Sequence, residues 1–369
     1  MFFERFREAV ARLPDGLLRP GPAADAEAIQ EAARALGRPL PDDYASFLRS
    51  FDGADLFHES VVIAGVGAAA PLSLLDINPE RPAAELAFAE TAAGDRLVFA
   101  AGGAVIRVRS ESEERVLAGS DFTRWLDATV AREQILYGAD GEFAPEVFED
   151  DGEEIQPRIA LRQAERALRA DAGSAEAHSD RGVALRRLGR LEQAADAFAR
   201  AAAIDAGNPW PWFDLGRAAL EHDPKRAAEA FRRAAEADDG PTGTRMLAWA
   251  AHAAAGAHDD AAAAEARAAA LARQPGLLED LRRAVATAVE EQDPEAAQQA
   301  ALLVEAIAPT APVRRLPLAK ASPTKPPTRR LGAKAVTEPP ARRPPPARRR
   351  RPRRATPPPA GASPRGRRH

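Results

Sequence analysis

The chain has 369 residues, 45% of them hydrophobic, no cysteine and a formal net charge of −4. That length accommodates about two ordinary domains plus a remainder, and the missing cysteines exclude disulfide staples and thiolate metal sites. The small net charge hides a split: residues 1–308 hold 33 Lys and Arg against 54 Asp and Glu, a net −21, whereas residues 309–369 carry a net +17.

In chain order, the first ten residues are broken by Glu4, Arg5, Arg7 and Glu8, whereas a secretory signal needs about 7 to 15 uninterrupted apolar residues. The best apolar run, Val61 to Leu72, contains Gly65, Gly67 and Pro71 and falls short of the roughly 20 residues that span a bilayer. A cytoplasmic location without a membrane span is the expectation.

Ile29, Ala32, Ala33 and Leu36 form a helical stripe that stops at Gly37 and Pro39. A second short helix begins after Pro41. Asp42 and Asp43 suit its positive N-terminal end, and Tyr44, Phe47, Leu48 and Phe51 form its apolar face. Strand-like runs follow at 61–66, 72–75, 97–99 and 104–108, and residues 122–136 read as a closing helix. Helices flanking short strands predict an α+β domain over residues 1–137.

The order Arg38-Pro-Leu-Pro-Asp-Asp-Tyr44, Phe47-Leu48, Phe51-Asp-Gly53, then strands and Ser120-Asp-Phe-x2-Trp-Leu126, resembles the SUKH superfamily over about residues 20–137. That superfamily supplies bacterial immunity proteins against secreted toxins and relatives of fungal cell-wall regulators. The resemblance implies a toxin-domain partner for this domain, met by Asp52, Gly53, Asp55 and nearby strands. Asp52 stands where Asn is common and Ala54 where a second glycine is usual, so the loop departs from the pattern. The alternative reading of Asp52, Gly53 and Asp55 is a turn glycine with its neighbours.

Signals for catalysis are few. Val61-Val-Ile-Ala-Gly65-Val-Gly67-Ala-Ala-Ala70 imitates a strand followed by G-x-G-x-x-A, but Pro71 stops the helix that should receive a pyrophosphate. A glycine-rich hairpin is the preferred reading. His252 and His258 are six residues apart, not at the i, i+4 spacing of a helical zinc pair. No P-loop and no G-x-S-x-G occurs. The expectation is no enzyme, no cofactor and no metal. The acidic run 142–154 reads as part of a linker over residues 138–154.

Residues 155–308 repeat themselves. Ala160, Ala194, Ala227 and Ala261 follow at intervals of 34, 33 and 34 residues, Ala167, Ala201, Ala234 and Ala268 do likewise, and Gly182 and Gly216 are 34 apart. The strings Ala167-Leu-Arg-Ala-Asp-Ala-Gly-Ser174 and Ala201-Ala-Ala-Ile-Asp-Ala-Gly-Asn208 nearly coincide. Small residues at crossing points let helices approach within about 8 to 10 Å. Asn208-Pro209, Asp223-Pro224 and Asp293-Pro294 each read as an N-cap followed by proline at the first helical position. Helices are predicted near 155–170, 175–188, 191–204, 209–221, 224–237, 242–255, 258–272, 276–291 and 294–307.

Leu185-x3-Gly189, Ala194-x3-Phe198-x2-Ala201 and Trp212-x2-Leu215-Gly216 make residues 155–275 similar to the tetratricopeptide repeat (TPR) family. Ala206 replaces the usual closing proline, Glu265 stands for Phe in the third hairpin, the first unit keeps only its second helix, and 276–307 resembles a divergent capping pair. The resemblance implies a concave face lined by the first helix of each hairpin, which holds a protein or peptide ligand. Carried over by position, that face presents Glu176, Ser179, Val183, Arg186, Trp210, Phe213 and Arg217, with Met246 beside them. Trp210 and Phe213 are the expected anchors, since aromatics dominate binding hot spots; the alternative for Trp210 is a staple between Pro209 and Pro211. Trp212 and Trp249 are assigned to packing.

Residues 309–369 hold 18 Lys and Arg, 16 prolines and no aromatic ring, so they cannot bury a core and read as a disordered tail. Arg342, Arg343, Arg348, Arg349, Arg350, Arg351, Arg353 and Arg354 are its candidate anion-binding residues. Without aromatics to stack bases, any nucleic-acid binding is expected to be nonspecific and salt-dependent. The sequence thus predicts a multidomain chain: an α+β head, an all-α hairpin array and a Pro/Arg-rich tail. Its expected function is a non-enzymatic protein-interaction adaptor. A tail that associates with nucleic acid or an acidic protein is the alternative, and an enzyme in the head the third reading.

Overall fold

The structure is a computed structural model that describes residues 3–80, 85–149 and 154–309. These all belong to one compact unit, residues 1–331. The tail and its arginines from Arg342 to Arg354 lie outside the described residues.

The head begins with α1 (Glu4–Arg12), whose buried Phe6 and Ala9 face inward. Strand β1 (Leu18–Pro20) and helices α2 (Ala26–Leu36) and α3 (Asp42–Leu48) come next. Then follow β2 (Ala54–Leu56), β3 (Val61–Ile63), β4 (Leu86–Thr91), β5 (Arg96–Phe99), β6 (Val105–Val108), β7 (Arg115–Gly119) and α4 (Phe122–Glu133). The strands form one antiparallel sheet in the order β1 to β7. Each strand pairs with its neighbour in the sequence; α2 and α3 fill the connection from β1 to β2, and the later connections are hairpins or loops.

An aromatic cluster joins helices to sheet. Phe88 and Phe99 stack at 4.3 Å, Trp125 meets Phe88 edge-on at 5.0 Å, and Phe122 meets Tyr44 at 5.2 Å. Tyr44 is fully buried, and its hydroxyl donates to the carbonyl of Ala64 at 2.7 Å. Burying the ring without that bond would leave a polar group unsatisfied. Asp43 accepts from the N–H of Phe122 at 2.9 Å and so fixes the start of α4 to α3.

The expected strand at 72–75 does not form. A single bridge joins Gly65 to Ser73, after which the chain turns with the Asp76 N–H donating to Ser73. Strands β1, β2, β4 and β7 and helix α1 were not read from the sequence.

The remaining described helices are α5 (Pro157–Ala170), α6 (Ala175–Arg187), α7 (Leu191–Ile204), α8 (Pro209–Ala219), α9 (Pro224–Glu236), α10 (Pro241–Gly256), α11 (Asp260–Arg273), α12 (Leu277–Glu290) and α13 (Pro294–Ile307). They match the predicted spans within about three residues, the margin that helix ends commonly show. Asn208, Asp223 and Asp293 cap α8, α9 and α13 through their side chains, each ahead of a proline.

In the α6–α7 and α8–α9 hairpins a glycine faces a phenylalanine. A Cβ on Gly182 would lie 2.6 Å from the Phe198 ring, and one on Gly216 would lie 2.6 Å from the Phe231 ring. In the third hairpin the expected register fails: Asp259 caps α11 and Ala263 and Ala270 are buried, whereas Ala261, Glu265 and Ala268 are exposed, two residues out of step with Ala227, Phe231 and Ala234 of α9.

Two features extend the array beyond its sequence pattern. Ala128 of α4, Ala167 of α5 and Ala177 of α6 share one apolar cluster. The head's last helix therefore fills the place of the first helix that the opening unit lacks. At the other end α13 packs on α10, and Arg267 of α11 donates to the carbonyl of Ala306 at 2.9 Å.

Substituting Gly216 or Gly182 with Ala forces a methyl group into a ring. Each change is expected to destabilise the chain by about 1–3 kcal/mol, measured as a lower urea midpoint. Pairing Gly216→Ala with Phe231→Leu should recover part of the loss.

Candidate functional site

The face expected to hold a ligand is made by α6, α8 and α10, and its first part is occupied by the head. Strand β7 ends the sheet, and such an edge presents unpaired N–H and C=O groups. The loops of the array answer them. Asp205 accepts from the N–H of Leu117 at 3.3 Å, and Asn208 donates from its side-chain nitrogen to the carbonyl of Arg115 at 3.1 Å. One turn earlier in the array, Asp171 accepts from the Ser120 N–H at 2.7 Å, the Ser120 hydroxyl at 2.5 Å and the Gly173 N–H at 2.9 Å. Asp171 and Asp205 are the equivalent residues of the two near-identical strings noted above. Their repetition was the available signal.

Beside this latch is a cluster of buried charges. Arg107 reaches Glu176 at 2.8 Å and Asp95 at 3.5 Å, and Arg109 lies 3.7 Å and 3.6 Å from the same two carboxylates. Arg132 of α4 pairs with Glu133 at 2.9 Å and approaches Asp180 at 3.7 Å. Burial pushes the Glu176 carboxyl up, but Arg107, Arg132 and Arg109 overcome this and hold it below the ordinary range. Burial and then the neighbouring Glu176 charge raise Asp180.

Glu176 is therefore not a ligand-facing group: it is 7% exposed and bonded to the head, and Ser179 at 5% is buried with it. The sequence placed both correctly on α6 but could not show that another domain covers that end. Met246 is buried as well.

The rest of the expected face stays half-buried: Val183, Arg186, Trp210, Phe213 and Arg217. Trp210 meets Phe213 edge-on at 6.0 Å, and Phe213 leans on Phe231 at 5.5 Å, so the anchor pair rests on the hairpin core. Arg186 bridges to Asp214 of the next hairpin at 3.5 Å. Its Nε is buried and makes no hydrogen bond among the described residues. Burial, then Arg186, pulls the Arg217 pKa below the ordinary arginine value, opposed by Asp214 and Glu295. Two guanidiniums thus lie close together, Arg186 bridged to Asp214 and Arg217 near both Asp214 and Glu295. Trp249 is buried, and the Trp212 indole donates to the carbonyl of Ala206 at 3.2 Å.

In the head, the expected contact residues turn inward. Asp52 accepts from the N–H groups of Val66 at 2.6 Å and Gly67 at 2.7 Å. A Cβ at Gly65 or Gly67 would lie 2.5 Å from its carboxylate, so the two glycines make room for Asp52. Gly53 has φ +79° and abuts the Ile63 carbonyl. Asp55 is paired with Arg19 and accepts from the Glu59 N–H at 2.8 Å. The three residues hold the β1–β2–β3 corner together.

Part of the acidic run also packs. Val147 is fully buried beside Leu136 and Ile159, and Arg187 pairs with Glu149 at 2.8 Å and Glu154 at 2.9 Å. His252 meets Trp249 edge-on at 5.8 Å, and His258 ends α10 with φ 58°. Among the described residues no group of three His, Asp or Glu is placed to hold a metal ion, and no helix is long and apolar enough to cross a membrane.

Residues 23–128 match the SMI1 / KNR4 family (SUKH-1). That segment runs from the lead-in to α2 through β7 and into α4. Among solved structures, the chain is similar to YrrB, "a TPR protein with an unusual peptide-binding site", at 22% identity over 42% of this chain and 79% of that one, with a TM-score of 0.29. MamA matches at 15% identity over 41% and 86%, with a TM-score of 0.30. Pseudomonas aeruginosa pilF matches at 16% identity over 53% and 78%, with a TM-score of 0.29. No curated protein matches the sequence. The match to the SUKH-1 family thus covers the head from α2 into α4, and α5 to α13 form a run of helices.

Glu176 has its folded pKa depressed, so it adds stability that is present above the ordinary carboxylate range and lost as the pH falls through the folded value. Glu176→Gln should cost about 3 kcal/mol at neutral pH and flatten the acid limb of a stability-against-pH curve. Asp171→Ala should cost about 2 kcal/mol and speed hydrogen exchange at the Ser120 amide.

Proposed function

We propose that the chain is a non-enzymatic adaptor that works in the cytoplasm and holds a protein or peptide segment on the open part of the α6–α8 face. The observation that carries this reading is the buried Arg186 Nε, which makes no hydrogen bond among the described residues, in an Arg186 and Arg217 pair near Asp214 and Glu295 and beside the half-buried Trp210 and Phe213. A buried donor without a partner is costly. A ligand carboxylate placed between the two guanidiniums would answer it with charge-assisted bonds, while an adjacent apolar side chain packs on the two rings. The fitting segment is acidic with an apolar or aromatic residue next to the acid.

Selection from a displayed random-peptide library against the full chain tests this. Enriched peptides should pair Asp or Glu with a large apolar residue, and Arg217→Ala or Trp210→Ala should weaken them by about tenfold, equivalent to about 1.4 kcal/mol. Binders indifferent to both substitutions would remove the face from consideration.

The match of residues 23–128 to the SUKH-1 family supports a second, finer reading in which one partner is a toxin domain bound as an immunity protein binds it. Since Asp52, Gly53 and Asp55 are engaged internally, the contact would fall on other head surfaces. Pull-down of toxin nuclease domains by the full chain, with no capture at micromolar concentration, would end that reading.

A further inference from the structure

A second surface lies at the turn between β2 and β3. Phe57, His58 and Glu59 all have positive φ, at 53°, 56° and 67°, a region that residues with a Cβ avoid and that clusters at functional sites. Asp55 holds the turn through the Glu59 N–H, and the Tyr137 hydroxyl lies 3.4 Å from the Phe57 carbonyl. The turn lays Phe57 flat on Tyr137, with centroids 5.4 Å apart. Tyr137 in turn stacks on Phe143 at 4.8 Å, and Phe148 meets Phe143 edge-on at 5.2 Å. The stack runs from the core to solvent: Phe57 is 1% exposed and Phe143 is 47% exposed.

Carboxylates flank the exposed end in the sequence. Glu142 is adjacent to Phe143, Asp140 and Glu146 are within three residues of it, and all three are exposed without an ion pair among the described residues. The nearby Arg187 is already taken by Glu149 and Glu154. An exposed ring held rigid and flanked by unpaired carboxylates repels nucleic acid, anionic lipid and acidic peptides. It suits a guanidinium, which stacks on aromatic faces and pairs with carboxylates. It also suits proline in an extended polyproline helix, which docks on aromatic surfaces with little conformational cost.

We propose that the Tyr137–Phe143–Phe148 ledge docks an extended, arginine- and proline-rich segment of a partner polypeptide. Residues 342–354 contain eight arginines and four prolines in thirteen positions, so a synthetic, labelled copy of that stretch is a suitable probe. The described cores all fall within the compact unit 1–331, and a chain ending at Leu331 avoids competition from its own copy of the sequence.

Fluorescence anisotropy with this chain and with the full chain tests the proposal. Micromolar binding to the shorter chain is expected. Phe143→Ala should weaken it about tenfold without lowering the melting temperature by more than a few degrees. The double change Glu142→Gln and Glu146→Gln should also weaken it, as should a probe with its prolines replaced by alanine. Three results would overturn the proposal: no binding to the shorter chain, equal affinity for the Phe143→Ala form, or tighter binding of an acidic peptide of the same length. The variants differ from those of the α6–α8 face, so one surface can fail while the other stands.

Discussion

The structure depends on how the last strand of the sheet is closed. An edge strand presents a row of unpaired backbone groups, which native proteins pair, charge or cover. Here β7 is covered by side chains from the loops of a helical repeat. Asn208 shows how closely the two parts are merged. Its side-chain oxygen caps α8 at the Trp210 N–H, while its side-chain nitrogen bonds the Arg115 carbonyl of β7. Neither half of that side chain is spare, so the head and the start of the array are ordered by the same residues.

This closure decides which surfaces remain for partners. Arg107, Arg109, Glu176 and Asp95 neutralise one another at the junction, and α4 belongs both to the head's aromatic cluster and to the first helical layer. The first half of α6, with Glu176 and Ser179, is therefore spent on holding the head. What stays open begins at Arg186 and continues over Trp210, Phe213 and Arg217. The aromatic ledge around Phe143 is a separate surface of opposite charge character. An adaptor with one basic-aromatic face and one acidic-aromatic face can distinguish partners by charge, because like-charge contacts disfavour the wrong one.

The sequence by itself determined the helix spans of the array, though not the register of α11, where Ala263 and Ala270 are buried in place of Ala261 and Ala268. A 34-residue period, small residues at crossings and Asn-Pro or Asp-Pro starts are local signals, and helix bonds form within the same segment. The two helices after residue 25, the helix from Phe122 and the core role of Tyr44 and Phe47 were legible for the same reason. The short strands were less so. Strand β4, Leu86–Thr91, has four consecutive buried residues and no alternation, and β1, β2 and β7 acquire meaning only through partners elsewhere in the chain.

Only the tertiary structure decided what the polar residues do. Asp52 and Asp55 had the residue types of a partner-facing loop, and Glu176 that of a groove acid, yet each bonds within the molecule. A carboxylate at a given position is equally ready to accept from a ligand, a backbone amide or an arginine, and spacing along one strand or helix does not distinguish these. Asp171 and Asp205 make the same point from the other side: their repetition was visible, but their partners in β7 come from another part of the fold. Periodicity reports bonds made between near neighbours in sequence, whereas the junction between head and array is built from groups brought together only when both have folded.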